Sequence, residues 1–415
     1  MLCIYMPFWG IAGSEIRVLK TIIRFPKDEY LIFIPIDYKA SLIKSLVYLE
    51  KDRDFRKINE AINDTIELKP FSNTMQHLWA RGITSRYASY KYGRYVAYTA
   101  KRYGCEMVYM PYVGNQTYVI LGLKSSFPKV SVLIQNTPII ETLVFEEGDP
   151  LTIMINNTRL REGKSGLKLL VSSLIKFAKL FMWRFITTNV NLLTVSKSIP
   201  YELNKVGVNV EMKVINPGVG VDPCPFSGLD RVFDVVFFAR VTPEKGVFNF
   251  LRVVANLVRW RRNIKALVMG FGGGDMAVRT RRIASELGIA GNVEFRFNVP
   301  RNEAMRLLTQ SKLVIYPTRL DAFPLSVLES LSCGTPVIAY AIPAIRFNYA
   351  DTRAVIKTKP LDIEEMTRRA IETLEGEAWR ELGREAVEFA KKYTWENAAK
   401  AEWNTLQSIM NLKYD

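Results

Sequence analysis

Short apolar runs of strand length alternate with longer stretches of helical spacing along nearly the whole chain. In the first half the predicted strands are Leu2–Met6, Tyr30–Ile36, Met107–Met110, Val130–Ile134 and Leu192–Val195. In the second half they are Val232–Ala239, Ala266–Gly270, Val293–Phe297, Leu313–Tyr316 and Val337–Ala339. This alternation is typical of parallel α/β architecture.

The two sets of strands are separated by VINPGVGVDPCPFSGLD, residues 214–230, which is rich in Pro and Gly and has no periodicity. Such a segment predicts a domain linker. We therefore expect two doubly wound Rossmann-like domains, 1–215 and 216–389, which face each other across a cleft. A helix within 390–415 is expected to pack back on the first domain. In open sheets of this kind, ligands bind at the carboxyl ends of the strands.

Charge and cysteine content narrow the function. The 415 residues carry a net charge of +16, which favours an anionic partner such as nucleic acid, anionic lipid or a phosphorylated substrate. Four cysteines are scattered without a CxxC motif, and His77 is the single histidine. A zinc cluster is therefore not expected, and a disulfide framework is not indicated.

The beginning of the chain, MLCIYMPFWGIAGSE, is apolar but has no basic region before it. We interpret it as a buried first strand rather than a signal peptide. No uncharged apolar run approaches the roughly 18 residues that span a bilayer. The expected location is cytoplasmic, with peripheral attachment to the cytoplasmic face of the membrane.

Residues 320–339, LDAFPLSVLESLSCGTPVIA, place two acids around a predicted helix start. Pro324 suits the first turn of a helix, and Gly334 is a good terminator. Asp321 then lies in the loop before the helix, and Glu329 lies one to two turns inside it. The free N–H groups between them form an anion site. The alternative is a solvated surface helix with two ordinary acids.

Two cations follow a predicted strand in FFARVTPEKG. Arg240 and Lys245 fall just beyond the strand end, where they could grip a diphosphate, the Arg by its planar fork and the Lys as a point charge. In the alternative interpretation, both simply point at water.

Two glycine-containing turns also follow predicted strands: MGFGGGD at 269–275, which contains Gly270, and WGIAGSEI at 9–16, which contains Gly13. Glycine permits close approach of the backbone to a ligand. A plain flexible loop in the first case, and Ser14 as an ordinary N-cap in the second, explain the residues equally well.

Several segments together resemble the retaining glycosyltransferases of the GT-B fold, in the family 4 or group 1 type. FARVTPEKG is similar to the family's GR-x-x-x-x-KG element, and LDAFPLSVLESLSCGTPVIA to its E-G-F-G-L-x-x-x-E-A-x-A-x-G-x-P-V-I element. Weaker likenesses are found in INPGVGVD, TVSKSIPYEL and YTWE.

The resemblance implies a metal-independent hexosyltransferase. Its donor substrate would be a nucleotide diphosphate sugar, with no further cofactor, and the acceptor a hydroxyl of a lipid-linked or membrane-borne glycan. The first domain would lie on the acceptor side, and the second would hold the donor.

The resemblance also assigns roles to residues. Arg240 and Lys245 would bind the diphosphate and stabilise the charge that grows as the sugar leaves. Glu329 would accept hydrogen bonds from the ribose hydroxyls, and Asp321 would hold a hydroxyl of the donor sugar. The backbone expected to line the sugar and phosphates belongs to Ala322, Phe323 and Leu325. The glycines expected near the donor are Gly13 and Gly270.

The chain departs from the family at two positions. Asp321 stands where the family has glutamate, so the donor preference is expected to be shifted. Gln135 or Asn136 stands where the family carries a histidine, and an amide can hydrogen-bond a sugar but cannot relay a proton. His77 lies far upstream and is expected to be a structural or surface residue.

Residues 85–103 carry a basic and aromatic pattern that the resemblance does not explain. At helical spacing one stripe contains Tyr87, Lys91, Arg94, Tyr98, Lys101 and Arg102. A second stretch, at 163–185, has four lysines on one arc, with leucines and phenylalanines opposite. Both patterns favour a lipid headgroup surface. An ordinary solvated helix face and single-stranded nucleic acid are the alternatives, although no nucleic-acid-binding signature is present.

Two rival functions stay open. A nucleotide-sugar epimerase of the same fold would need acid–base side chains that the motifs do not supply, and it would not release nucleotide in response to an acceptor. A catalytically weak partner module that binds sugar nucleotides would fit Asp321 and the missing histidine, and it would bind nucleotide without turnover.

Overall fold

The computed structural model describes residues 1–8, 10, 13–50, 52–70, 83–111, 116–140 and 142–412, apart from the side chains of residues 48 and 83–85. His77 lies outside these residues. The chain forms two compact units, of which the first comprises Met1–Ile139, Val171–Gly220 and Trp395–Asp415. The second comprises Ile140–Leu170 and Val221–Thr394. The expected first domain, 1–215, differs from the first unit because it includes residues 140–170.

The first unit is built on a parallel sheet. Its strands are β1 (Leu2–Tyr5), β2 (Tyr30–Pro35), β3 (Ile66–Leu68), β4 (Met107–Met110), β5 (Val130–Ile134), β6 (Asn191–Thr194) and β7 (Lys213–Val214). Among the described residues their order is β3-β2-β1-β4-β5-β6-β7. The order reverses direction between β1 and β4, which pair in parallel at Cys3 and Val108. Every residue of β1, β4 and β5 is buried, as expected for strands covered on both faces.

Helices lie between these strands along the chain. They are α1 (Gly13–Ile22), α2 (Ile36–Ser45), α3 (Phe55–Asn63), α4 (Ile83–Arg102), α5 (Thr117–Lys124), α6 (Pro150–Glu162), α7 (Gly166–Thr187) and α8 (Ser198–Lys205). Of these, α6 belongs to the second unit, and α7 enters the first unit at Val171.

The second unit repeats the architecture. Its strands are β8 (Phe233–Phe238), β9 (Ala266–Gly270), β10 (Val293–Phe297), β11 (Ser311–Tyr316), β12 (Val337–Tyr340) and β13 (Val355–Thr358). They lie in the order β10-β9-β8-β11-β12-β13, with parallel pairing throughout. The helices that follow them are α9 (Val247–Trp260), α10 (Gly274–Glu286), α11 (Arg301–Thr309), α12 (Leu325–Ser332), α13 (Pro343–Asn348), α14 (Ile363–Glu375) and α15 (Trp379–Ala390).

A last helix, α16 (Trp395–Met410), groups with the first unit. Buried charges hold it there. The Arg17 guanidinium on α1 pairs with the Glu402 carboxylate, whose other oxygen accepts a 2.6 Å hydrogen bond from the Tyr109 hydroxyl. Arg17 Nε also donates to the Gly218 carbonyl at 2.9 Å. Since these side chains are buried, each charge depends on its partner.

All ten predicted strands are present, with boundaries that differ by no more than two residues, and the doubly wound α/β fold is confirmed. The strands that the pattern did not predict are β3, β7 and β13. The first two have three residues and two residues, too few to form a pattern. In β13 the sequence VIKT carries a lysine, so it does not form an apolar run.

The expectation that disulfides are absent is wrong. Cys3 is bonded to Cys105 and Cys224 to Cys333, with Cα–Cα distances of 5.8 and 5.0 Å. The partners lie 102 and 109 residues apart along the chain. Because the fold alone brings them together, no local spacing of cysteines marks the pairs.

Candidate functional site

The second sheet changes direction between β8 and β11, which lie side by side with Val236 opposite Val314. The carboxyl ends of such neighbouring strands are where open α/β sheets bind ligands. Arg240 follows the end of β8 and is exposed, and Asp321 lies in the loop after β11. The fold therefore brings the predicted cations and the first predicted acid to one edge of the sheet.

Lys245 and Asp321 form the centre of this site. Lys245 Nζ lies 2.6 Å from Asp321 Oδ2, and it also donates to the Leu320 carbonyl at 2.7 Å. The two side chains are only 11% and 15% exposed, so the pair is substantially shielded from water. The same Asp321 oxygen accepts a 2.7 Å hydrogen bond from the Tyr316 hydroxyl. Burial, reinforced by the charge of Asp321, raises the pKa of Tyr316 well above its usual value, so this hydroxyl keeps its proton.

The loop that contains Asp321 is fixed by contacts of its own. The Asp321 amide donates to the Thr142 hydroxyl at 3.0 Å, and that hydroxyl donates back to the Asp321 carbonyl. Asn348 Nδ2 donates to the Ala322 carbonyl at 2.8 Å. The ring of Phe323 packs edge-on against Tyr349, with centroids 5.9 Å apart. The loop before α12 is thus held in one shape, with Leu325 as the first residue of that helix.

Glu329 has a partner that the sequence motifs did not reveal. It is the fifth residue of α12, and its Oε1 lies 2.9 Å from Nη2 of Arg301 at the start of α11. The same guanidinium nitrogen lies 3.5 Å from the Asp222 carboxylate. In the sequence, only the position of Arg301 pointed to this pair. Arg301 begins the helix after β10, at the end of the sheet where the loop of Asp321 also lies.

Gly270 is required by packing. Its φ is +154°, and an added Cβ would lie 1.7 Å from the Ala239 carbonyl oxygen. The turn beyond it is closed by Asn298, whose amide donates to the Gly272 carbonyl at 2.7 Å and accepts from the Gly272 N–H at 3.0 Å. Packing alone therefore requires a glycine here. The role of Gly270 near the donor stays a prediction.

The remaining candidates lie in the first unit. Gly13 begins α1 and is exposed. Gln135, just after β5, donates from Nε2 to the Pro111 carbonyl at 3.0 Å, whereas the side chain of Asn136 is exposed. The Gln135 amide nitrogen is therefore occupied by a backbone hydrogen bond, whereas the Asn136 side chain faces solvent.

The predicted stripe on α4 is exposed along its length, at Tyr87, Lys91, Arg94, Tyr98, Lys101 and Arg102. Its opposite face packs closely on α5 through glycines. A Cβ at Gly93 would lie 2.2 Å from the Val119 carbonyl oxygen, and one at Gly122 would lie 2.0 Å from the Tyr90 carbonyl oxygen. This close packing directs the basic and aromatic side chains away from the protein.

Residues 229–393, which contain all of these second-unit candidates except Asp222 and Thr142, match the family "Glycosyl transferases group 1". Over these residues the chain is similar to the group 1 glycosyltransferases. The family resemblance carried by Arg240, Lys245, Asp321 and Glu329 is thereby confirmed, while the individual role of each residue stays a prediction.

Relatives in the same group are similar over part of their length. The chain is 27% identical to a D-inositol 3-phosphate glycosyltransferase of Segniliparus rotundus over 204 residues, which are 48% of this chain and 45% of the relative. It is 28% identical to the protein of that name in Frankia alni over 169 residues, 39% of this chain and 42% of the relative. The match thus spans less than half the length of these relatives.

Solved structures extend the likeness to nearly the whole chain. Sucrose-phosphate synthase from Thermosynechococcus elongatus has a TM-score of 0.68 at 13% identity and covers 99% of both chains. Anabaena HepE, in complex with UDP and glucose, has a TM-score of 0.67 at 15% identity and covers 98% of this chain and 100% of HepE. At such low identity these likenesses establish the fold, which is GT-B.

The described part of the chain contains no group of three or more His, Cys, Asp or Glu side chains placed to hold a metal ion. Within the same residues, no helix combines the length and the apolar character needed to cross a bilayer.

Proposed function

We propose that this protein is a retaining glycosyltransferase that moves a hexose from a nucleoside diphosphate sugar to an acceptor hydroxyl. One observation carries the proposal: the Lys245–Asp321 pair and Arg240 all follow the neighbouring strands β8 and β11, at the point where the second sheet changes direction. A cationic site at this position suits a diphosphate, and the nearby carboxylate suits a sugar hydroxyl.

The chemistry assigned to the site is electrostatic. As the bond between the sugar and the diphosphate breaks, negative charge grows on the leaving phosphate. Arg240 and Lys245 would stabilise this charge, and so would the N-terminus of α9, which begins at Val247 directly after Lys245 and Gly246. Asp321 would orient the sugar through a hydroxyl. Its carboxylate is already fixed by Tyr316 and Lys245, so little reorganisation would accompany binding.

Glu329 is the proposed ribose ligand. A carboxylate can accept both ribose hydroxyls, and Glu329 stands one turn inside α12, beyond the loop that contains Asp321. HepE was solved with UDP and with UDP-glucose, so uridine diphosphate sugars are the first donors to test.

The proposed acceptor is a lipid-linked or membrane-borne glycan. The net charge of +16 and the exposed stripe on α4 support an acceptor at an anionic surface, on the cytoplasmic face of the membrane. We also propose that turnover needs no metal ion, since two cations and a helix N-terminus can take over the role of magnesium at a diphosphate.

The experiment is a turnover assay with UDP-, GDP- and ADP-hexoses in excess chelator, with and without a polyprenyl-linked glycan acceptor. Nucleotide release that depends on the acceptor, together with an α-linked product from an α-linked donor by NMR, is the expected result. An inverted product or a strict need for metal would contradict the proposal. Nucleotide binding without turnover would instead identify a partner module, and an altered sugar without acceptor would identify an epimerase.

A further inference from the structure

The helix α7 exposes a continuous row of large apolar side chains. We call this row the apolar face, and its members are Leu167, Leu170, Val171, Leu174, Ile175, Phe181, Met182 and Phe185. The first five recur at spacings of three and four residues, and Phe181, Met182 and Phe185 return to the same side after two further turns, so all eight share one side of this 22-residue helix. The exposed fraction reaches 75% for Leu167 and 74% for Phe185.

The opposite side of α7 accounts for its attachment to the protein. Leu169, Ser173, Leu180 and Trp183 are buried and recur at the same helical spacing. The helix therefore has two apolar sides. One of them packs against the protein, and the other, the apolar face, is exposed. Contiguous exposed apolar surface of this size marks an interaction site rather than an accident of composition.

Basic side chains border the apolar face. Lys168 and Lys179 project beside it on one flank and Arg184 on the other, and all three are exposed. A helix with an apolar face and basic flanks lies in the plane of a bilayer surface, with its apolar side chains among the acyl chains and its cations at anionic headgroups.

The apolar face is also linked to the first turn of α4. The Tyr118 hydroxyl on α5 lies 3.5 Å from Met182 Sδ, and its ring lies 5.5 Å beneath the guanidinium of Arg86, in the first turns of α4. All three residues belong to the first unit. Through Tyr118, the Arg86 guanidinium therefore lies near the apolar face at Met182.

We propose that the apolar face of α7 inserts into the surface of an anionic lipid bilayer, so that α7, rather than the stripe on α4, is the membrane-inserting element. The inference rests on the exposure and flanking charge of α7 and does not depend on sugar transfer. Attachment through α7 differs from attachment through the stripe on α4 in its response to salt. Salt should weaken attachment through α7 but not abolish it, because the apolar contribution is not screened.

The test is co-sedimentation of the full chain with vesicles of phosphatidylcholine alone or of an equimolar mixture with phosphatidylglycerol. The first variant is Leu174→Gln/Phe185→Gln, which removes apolar surface and leaves the charge unchanged. The matched control is Val47→Gln/Val278→Gln, at exposed apolar positions outside α7. We expect the wild type and the control to bind the mixed vesicles, and the α7 variant to bind at least about tenfold more weakly. A third variant, Lys168→Gln/Lys179→Gln, should lose the preference for phosphatidylglycerol.

Two results would overturn the proposal. One is equal binding of the mixed vesicles by the wild type and the Leu174→Gln/Phe185→Gln variant. The other is a wild type that does not bind vesicles and sediments as a dimer, while the same variant sediments as a monomer. That result would assign the apolar face to a second copy of the chain. Circular dichroism spectra that match the wild type would show that each variant is folded. Failure of the turnover assay would leave these outcomes unaffected.

Discussion

At the residue scale, local motifs predicted which side chains carry the chemistry but not all of their partners. Asp321 and Lys245 lie on different loops, and the sequence alone did not show that they pair. Thr142 and Arg301 were missed because their contacts depend on the folded chain. Thr142 is 179 residues from Asp321 along the sequence, and Arg301 reaches Glu329 only because α11 and α12 both begin near the same end of the sheet.

The ion pair between Arg301 and Glu329 gives a prediction about donor affinity. If Glu329 binds the ribose, Arg301 positions its carboxylate, and removing this partly exposed pair costs no more than about 1 kcal/mol. Arg301→Ala should therefore weaken nucleotide binding by about fivefold and leave kcat unchanged, whereas Glu329→Gln should weaken binding more. Titration calorimetry and steady-state kinetics measure the two effects.

The control is Arg306→Ala, since Arg306 lies on the same helix but pairs with Glu303. In the double variant Arg301→Ala/Glu329→Gln, the loss should equal that of Glu329→Gln alone, because Arg301 acts through Glu329. Fully additive losses would show that Arg301 does not position this carboxylate.

At the element scale, the pattern of the sequence was most informative for buried parallel strands. Strands covered on both faces form apolar runs, and these runs predicted the central members of both sheets. At the edges the pattern was lost, because β7 has two residues and β13 carries a lysine. The helix α7 was predicted with its leucines and phenylalanines on one side. The structure instead divides the apolar residues between a buried side and an exposed side, which periodicity cannot distinguish.

The attachment of α16 yields a prediction about stability. Glu402→Ala would leave Arg17 charged and buried without its partner, so it should lower the free energy of unfolding by about 3–5 kcal/mol. Glu388→Ala is the matched control, because its pair with Lys391 is exposed and should contribute little. Urea unfolding of both variants measures the difference. Similar midpoints for the two would contradict this account of how α16 is held.

The second disulfide makes a further prediction at this scale. Cys333 directly follows α12, and its bond to Cys224 closes a long loop across the second unit. Closing such a loop restricts the unfolded chain, so Cys224→Ser/Cys333→Ser should destabilise the protein by about 2–4 kcal/mol. Thermal unfolding with and without reductant measures the effect. In the double variant, reductant can lower the stability only through the remaining Cys3–Cys105 bond. Rapid alkylation of Cys224 in unfolded, unreduced protein would show that the bond is absent.

At the scale of the whole molecule, the alternation of strands and helices predicted the fold, and the structures that share it are only 13% and 15% identical to this chain. The disulfides bear on where the protein is located. Disulfides persist in oxidising compartments and in the cells of hyperthermophiles, so the two bonds do not favour an ordinary reducing cytosol, and the cytoplasmic location stays a prediction.

We propose above all that the second unit binds a nucleoside diphosphate sugar through Arg240 and Lys245. The most direct measurement is calorimetric titration of the wild type with UDP, GDP and ADP, followed by the same titration of Arg240→Ala, Lys245→Ala and the exposed control Lys400→Ala. We expect at least one nucleotide to bind the wild type and the control equally well. Each site variant should bind it at least about tenfold more weakly, with a roughly hundredfold loss of turnover on the matching sugar. Unchanged binding by both site variants, or no binding of any nucleotide by the wild type, would contradict the account.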